Sequence, residues 1–428
     1  MPREELAVLQ LELLGHSLEH AYENVAHYRK SFEANGVTPR TLTSLQDVRH
    51  FPFTDKDDLR SAYPFGMFAV PREQVLRVHA SSGTTGRPTV VGYTKDDLDT
   101  WDELMARSMA AMGACEGDIF HNAYGYGLFT GGLGFHGGAQ RLGVTTIPMS
   151  GGNTKRQIQL LSDFGATVLG STPSYALHIA EVAEAEGIHL KSGPLRIGCF
   201  GAEPWSEAMR HELQDRLGIK AVDMYGLSEV MGPGVACECN EAQDGLHCWE
   251  DHFLFEIVDP RTGQPLPVGD TGELVITTLT KQALPVIRYR TRDITRLDDT
   301  ICICGRTHAR AKRITGRTDD VLIIRGVNVY PSQIESLLVG QPGIAPHYSL
   351  VVERDGAMDR VTIEVEALPD IDDDPTRFNA LAKAVRHHIK NMAGITCDVD
   401  VKRPGEIPRS HGKASRVRDL RRRDRDPA

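Results

Sequence analysis

Apolar residues at the start of the chain recur at steps of three and four: Leu6, Leu9 and Leu13, then Leu14, Leu18, Tyr22 and Val25. That spacing predicts an amphipathic helix, interrupted near Gly15. Through residues 40–79, Pro52, Pro64 and Pro71 divide the sequence into short helices and turns. Val90-Val91-Gly92-Tyr93-Thr94 then reads as a short strand. Between residues 100 and 225 the period alternates. Helices are expected at 101–114, 155–164, 174–186 and 205–217, and strands at 118–121, 144–148, 167–170, 195–200 and 221–224. Strands alternating with helices across short links predict an α/β fold, its helices covering the faces of parallel sheet.

From about residue 250 the pattern turns to β, with extended runs at 253–258, 273–278 and 286–289. Asp259-Pro260-Arg261-Thr262-Gly263 and Gly269-Asp270-Thr271-Gly272 supply turns between them. After Gly316-Arg317-Thr318-Asp319-Asp320 a new unit begins. It reads as a strand at 321–324, a helix entered at Tyr330-Pro331, strands at 348–353 and 360–367, and a helix at 376–392. The boundary is expected at 317–321. It separates a large N-terminal domain, 1–317, with a small β-rich part at about 250–315, from a smaller α+β domain, 318–428.

Composition narrows the class. The chain has 428 residues, 40% hydrophobic and 25% charged, with a net charge of −10 and a mean hydropathy of −0.29. No apolar run reaches the roughly 20 residues that span a bilayer. Met1-Pro2-Arg3-Glu4-Glu5 lacks the basic-then-apolar order of a signal peptide. A cytoplasmic location and no membrane partner are the expectations. The acidic balance argues against nucleic acid. Only the tail, residues 416–425, runs the other way, with six arginines and two aspartates; it reads as a solvated end. Eight cysteines are too few for a disulfide scaffold. Cys115, Cys199 and Cys397 stand alone and read as small buried hydrophobes. Cys237, Cys239 and Cys248, and then Cys302 and Cys304, cluster, which in a reducing compartment suggests metal before disulfide.

The stretch with the clearest chemistry is Ala80-Ser81-Ser82-Gly83-Thr84-Thr85-Gly86-Arg87-Pro88-Thr89. Its glycines let backbone N–H groups approach an anion, and its hydroxyls add donors for phosphate oxygens. Taken alone it is equally an ordinary turn. Gly201-Ala202-Glu203-Pro204 and Tyr225-Gly226-Leu227-Ser228-Glu229 each follow an expected strand, where α/β sheets bind ligands. These three are followed by Arg288-Tyr289-Arg290-Thr291-Arg292-Asp293, Gly316-Arg317-Thr318-Asp319-Asp320 and Pro408-Arg409-Ser410-His411-Gly412-Lys413. Six motifs in this order resemble the adenylate-forming enzymes. Asn122 to Gly134, Gly232-Pro233-Gly234-Val235, Trp249-Glu250-Asp251-His252-Phe253 and Ile324 to Pro331 resemble the phenylacetate–CoA ligase group within them. The resemblance runs from the first helix to Lys413.

The resemblance implies an AMP-forming aryl acid–CoA ligase that uses ATP, CoA and Mg²⁺. Phenylacetate is the first substrate to consider; transfer to a carrier-protein thiol and an inactive nucleotide-binding module are the alternatives. It implies that Ser81, Ser82, Gly83, Thr84, Thr85, Gly86 and Arg87 hold pyrophosphate. The family usually has lysine at Arg87, and arginine keeps the charge. Glu229 would be the magnesium carboxylate, against the plainer reading of a charge at a helix N-terminus. Gly201, Ala202, Glu203, Pro204, Asp223, Tyr225, Gly226 and Ser228 would surround the nucleotide. Tyr225 would stack on adenine, Asp293 would bind the ribose hydroxyls, and Arg317 would contact ribose or phosphate. Lys413 would bridge carboxylate and α-phosphate, although a lysine near a C-terminus is by base rate a surface charge. Asp319 would be the hinge of a mobile C-terminal domain that closes over the first. Tyr124, Tyr126, Phe129 and Gly131 would line the aryl pocket, unless the glycine-rich run is simply a connection with core aromatics. Cys239, His247, Cys302 and Cys304 would form a structural Cys₃His zinc site. The Cys-x-Cys spacing is tighter than usual, and Cys237, Cys248 and His308 compete as ligands. The family also suggests a homodimer.

Overall fold

In the computed structural model, residues 1–81, 88–320, 322–324, 327–355, 358–371, 374–393, 395–410, 414 and 416–421 are described. The chain divides into two compact units. The first comprises Met1–Ser171, Ser192–Ala202 and Ile219–Ile314; the second comprises Thr172–Lys191, Glu203–Gly218 and Thr315–Ala428.

The first unit opens with α1 (Arg3–Asn24) and α2 (Ala26–Ala34). Here the structure corrects the expected break. The helix runs through Gly15 and stops at Val25, which is extended at φ −117° and ψ 112°. One glycine costs about 1 kcal/mol in a helix, less than the fully buried Leu14 and Leu18 on either side contribute. After α3 (Lys56–Ser61) come β1 (Arg77–Ala80) and β2 (Val90–Tyr93), an antiparallel pair. Then follow α4 (Lys95–Ala111), β3 (Ile119–Asn122), α5 (Thr130–Arg141), β4 (Thr145–Ile147), α6 (Thr154–Asp163) and β5 (Val168–Ser171). Beyond α7 (Pro173–Ala185), β6 (Ile197–Gly201) and α8 (Glu207–Leu217), the first unit continues with β7 (Lys220–Leu227), β8 (Gly232–Cys237) and β9 (Leu246–Cys248).

Helix α5 was not foreseen. Its sequence, TGGLGFHGGAQR, carries five glycines and reads as a connection. Tertiary packing overrides the poor propensity. A Cβ on Gly138 would lie 2.3 Å from Met105 Cβ and 2.8 Å from the Met105 backbone carbon, and one on Gly134 would lie 2.6 Å from the Trp101 ring. The glycines are what let α5 press against α4.

The main sheet is mixed. Strands β4-β3-β5-β6-β7 are parallel neighbours in that order, as the alternating pattern predicts. On the other side of β7 it continues antiparallel through β8 and β9. Antiparallel strands of a separate sheet follow, β10 (Phe253–Val258), β11 (Gly272–Thr278) and β12 (Tyr289–Thr295). The run expected at 286–289 is displaced into β12, because Arg288 takes a left-handed φ of 47° and breaks extension there. Strands β13 (Leu297–Asp298) and β14 (Arg310–Ala311) return to the edge of the main sheet beside β9. One core runs from Leu14 to Tyr289, with Trp101, Phe120, Phe135 and Phe253 inside it.

The second unit holds α7, α8, β15 (Gly316–Arg317), β16 (Leu322–Ile324), β17 (Val327–Val329), α9 (Pro331–Leu338), β18 (Ile344–Asp355), β19 (Met358–Ala367), α10 (Pro375–Ala393), β20 (Asp398–Lys402) and β21 (Val417–Asp419). Its sheet has the order β20-β19-β18-β21, over a core that includes Ile334, Leu350, Ile363 and Ile389. The arginine-rich tail is therefore not all solvated end. Val417–Asp419 pairs in parallel with β18, Arg418 ion-pairs with Glu364 at 2.5 Å, and Arg421 with Asp419 at 2.8 Å. Cys199 and Cys397 are buried as expected, whereas Cys115 is exposed, in the turn before β3.

Gly138→Ala tests the helix packing. Alanine favours helix by about 1 kcal/mol, yet the new methyl meets backbone that cannot yield. The variant is expected to lose ~1–3 kcal/mol of unfolding free energy, measured by urea denaturation.

Candidate active site

The turn after β7 carries the first set of motif residues. Tyr225, Gly226 and Leu227 lie inside β7, not after it as expected, because β8 folds back and pairs with them. Gly226 makes this possible: a Cβ there would lie 2.0 Å from the Gly232 carbonyl oxygen. The Tyr225 hydroxyl donates to Asp293 Oδ2 at 2.5 Å, so the structure brings together the two side chains expected at adenine and ribose. Asp293 is 7% exposed, in β12, and its N–H donates to Thr291 Oγ1. Its neighbour Arg290 forks onto Glu273 at 3.0 and 2.5 Å. Asp223, on β7, donates its N–H to Glu238 Oε2 at 2.9 Å. Gly201 ends β6 with no room for a side chain, its Cβ site being 2.3 Å from the Met224 carbonyl oxygen; Ala202 then turns left-handed at φ 72°.

Ser228 shares a hydrogen bond with Thr130 Oγ1 at 3.1 Å, at the start of α5. Glu229 is buried, with Lys56 Nζ at 3.5 Å. Lys56 escaped the sequence reading, since a lysine opening a short surface helix carries no signal. The flanks of the hydroxyl-rich loop are fixed: Ala80 N–H donates to the Leu128 carbonyl and Ser81 N–H to the Thr89 carbonyl, both at 3.0 Å. Ser82, Gly83, Thr84, Thr85, Gly86 and Arg87 lie outside the described residues.

Three of the four expected aryl-pocket residues meet. A Cβ on Gly131 would lie 2.7 Å from the Phe129 ring and 3.4 Å from that of Tyr124. Phe129 is 45% exposed. Tyr124 stacks on Phe135 at 4.9 Å and donates its hydroxyl to the Cys199 carbonyl. The Tyr126 hydroxyl accepts from Asn122 Nδ2 at 2.8 Å and shares a hydrogen bond with His136 Nδ1 at 3.1 Å. Burial pushes its pKa up to about 12.

In the second unit Glu203 accepts from the Ser174 N–H at 2.8 Å through Oε1, and from the Ala414 N–H at 2.7 Å through Oε2. Arg409 forks onto Glu366 at 2.8 and 2.6 Å and reaches Glu181 at 3.3 Å. Lys413 itself lies outside the described residues. Arg317 forks onto Asp319 at 2.9 and 3.0 Å, joining the expected phosphate contact to the expected hinge.

In the first unit, the ligand atoms of Cys239, His247, Cys302 and Cys304 all lie within 4.8 Å of one another. Cys239 and Cys302 sulfurs are 3.8 Å apart, and Cys304 Sγ is 3.5 Å from His247 Nε2. A tetrahedral zinc with sulfur at about 2.3 Å sets sulfurs about 3.8 Å apart, so the donor set fits that ion. Burial, then Arg306 and Arg310, hold the His247 imidazole down at about 4, in the neutral form that ligates. Of the competitors, the Cys237 thiol points to the Ser108 carbonyl and the Cys248 thiol to the Leu246 carbonyl, while the His308 ring packs edge-on to Trp249.

The family described as "AMP-binding enzyme" matches residues 33–280, and "AMP-binding enzyme C-terminal domain" matches 326–421. The chain is 57% identical to a phenylacetate-coenzyme A ligase of Aromatoleum evansii over 422 residues, 98% of this chain and 95% of that one. It is 55% identical to one from Escherichia coli strain K12, over 98% and 95%. Among solved structures it resembles a 2-hydroxyisobutyryl-CoA ligase in the postadenylation state, with a TM-score of 0.92 and 30% identity over 98% of this chain and 90% of that one.

A buried cation beside Tyr93 was also missed. Lys281 is buried, its Nζ 3.5 Å from the centre of the Tyr93 ring and 3.7 Å from Met231 Sδ. Burial pushes its pKa down from 10.5 to about 8, with Asp97 opposing. Below pH 8 folding therefore carries the full cost of burying the ammonium. Between 8 and 10.5 only the unfolded chain keeps the proton, and stability rises with pH. Lys281→Met should raise the unfolding free energy at pH 7 by ~1–3 kcal/mol, with the gain shrinking towards pH 10.5; denaturant melts across that range check it.

Proposed function

The chain belongs to the family of AMP-binding enzymes, and from that membership we propose that it is an AMP-forming phenylacetate–CoA ligase. The observation that carries the reading is 57% identity to a ligase of that name over 98% of the chain. An oxygen of the acid's carboxylate attacks the α-phosphorus of ATP, and pyrophosphate leaves with the bonding pair. The CoA sulfur, having given up its proton, then attacks the acyl carbon, and AMP leaves. AMP is the better leaving group, which is why activation comes first.

In this reading the Asp293 carboxylate accepts the ribose hydroxyls and Tyr225, whose hydroxyl holds Asp293, offers its ring to adenine. Glu203 and Pro204 line the base. Glu229 holds Mg²⁺, which when bound offsets charge on the phosphates; Lys56 at 3.5 Å balances the buried carboxylate otherwise. Ser81 to Arg87 cradle pyrophosphate, and Lys413 stabilises the charge that grows between carboxylate and α-phosphate. Arg317 contacts ribose or phosphate. Tyr124, Tyr126 and Phe129 offer faces for a ring, and Gly131 leaves space for it. Asp319 is the hinge between domains 1–317 and 318–428. Cys239, His247, Cys302 and Cys304 hold a structural zinc that ties the β9 segment to the loop before β14. The assignment extends to a cytoplasmic homodimer, which light scattering tests.

With ATP, Mg²⁺, phenylacetate and CoA the protein is expected to release AMP and phenylacetyl-CoA in equal amounts; ADP release, or AMP release without acid, would overturn the reading. Lys413→Ala should lower acid-dependent pyrophosphate exchange by about 10²–10³-fold. Metal analysis should find a single zinc per chain, absent from Cys302→Ser, which melts at lower temperature. A wild-type protein free of metal would sink the zinc assignment.

A further inference from the structure

One buried carboxylate serves both the turn after β6 and the segment that follows Lys413. Glu335, on α9, is 3% exposed. Its Oε1 accepts the N–H of Ser206 at 3.0 Å, where Ser206 caps the N-terminus of α8. Its Oε2 accepts the Tyr348 hydroxyl at 3.1 Å and pairs with Arg416 Nε at 3.4 Å. The Arg416 guanidinium lies 4.5 Å over the Tyr348 ring. A parallel contact runs beside it, from the Ala414 N–H to Glu203 Oε2 at 2.7 Å. In sequence Ala414 and Arg416 are the first and third residues after Lys413, while Glu203 and Ser206 bracket the turn that leads into α8. Two short segments are thus joined at two points, and at one of them Glu335 binds both.

Burying an ion pair is a poor route to stability, because desolvation offsets most of the attraction. An apolar pair at position 335 on α9 and position 416 just before β21 would hold this unit as well. What apolar side chains cannot do is fix two backbone segments to one point with directional bonds. We propose that Glu335 is a positioning residue for the adenylation step, fixing the segment that follows Lys413 against the turn that carries Glu203. It touches no substrate; it acts through Arg416 and the Ser206 N–H. The assignment rests on the ligase reading above.

The test separates the two half-reactions in the full-length protein. Glu335→Gln keeps shape and removes the charge that holds Arg416; Arg416→Lys keeps the charge and removes the planar fork. Each is measured for phenylacetate-dependent ATP–pyrophosphate exchange, for consumption of supplied phenylacetyl-adenylate by CoA, and for its melting temperature. A small misplacement of a reacting group can cost about 10²-fold, so Glu335→Gln should lose between tenfold and that much of its exchange rate, with Arg416→Lys losing less. Both should consume supplied adenylate at the wild-type rate. Combining Glu335→Gln with Arg416→Lys should cost no more than the worse single change. Folded variants that exchange like wild type, or that lose both half-reactions in equal proportion, overturn the proposal. If Glu335→Gln does not fold, Arg416→Lys decides by the same two rates. Wild-type protein with no exchange for any acid would overturn the ligase reading itself, an outcome distinct from variants that are silent in an active background.

Discussion

The indole of Trp101 fixes the segment of the first unit that carries Glu229. Its Nε1 donates to the Pro233 carbonyl at 2.9 Å, and its ring stacks on Tyr93 at 4.9 Å. Glycine is required on two sides of it, since a Cβ on Gly134 or Gly232 would lie 2.6 or 2.4 Å from the ring. Tyr93 in turn donates its hydroxyl to the Met231 carbonyl at 2.7 Å and lies beneath Lys281. Residues 228–233, with Glu229 among them, are thereby held from several directions. A buried carboxylate needs such support, because an ionised group taken out of water is costly unless its surroundings are paired and fixed.

The second unit uses charge for the same purpose. Arg409 lies between Glu181 and Glu366, and the Ala414 N–H meets Glu203. His347 also reaches Glu181, at 2.5 Å, from β18. These contacts hold both ends of the stretch that contains Lys413. Directional ionic bonds suit a segment that offers little apolar surface of its own.

Much of this was legible in the sequence because it is local. Six short motifs in order identified the chemistry, and strand–helix alternation from 100 to 225 gave the parallel half of the main sheet. The expected Cys₃His set was chosen from five clustered cysteines and two histidines, and the same four side chains converge in space. What escaped is non-local. The glycines of α5 disguise a helix until Trp101 and Met105 are beside it. Strands β8 and β9 hide in Gly-Pro-Gly and Cys-rich sequence because they exist only by pairing back onto β7. Lys56 is an unremarkable surface lysine until the fold sets it 3.5 Å from Glu229. The tail read as solvated because arginine density was weighed without Glu335, Glu364 and Tyr348 to receive it.

The central claim is that a carboxylate oxygen attacks the α-phosphorus of ATP. Phenylacetate labelled with ¹⁸O in its carboxylate tests this most directly, with the products of a complete turnover read by mass spectrometry. The account predicts one ¹⁸O atom in each AMP, one retained in phenylacetyl-CoA, and none in pyrophosphate. Unlabelled AMP, or label in pyrophosphate or inorganic phosphate, would contradict it.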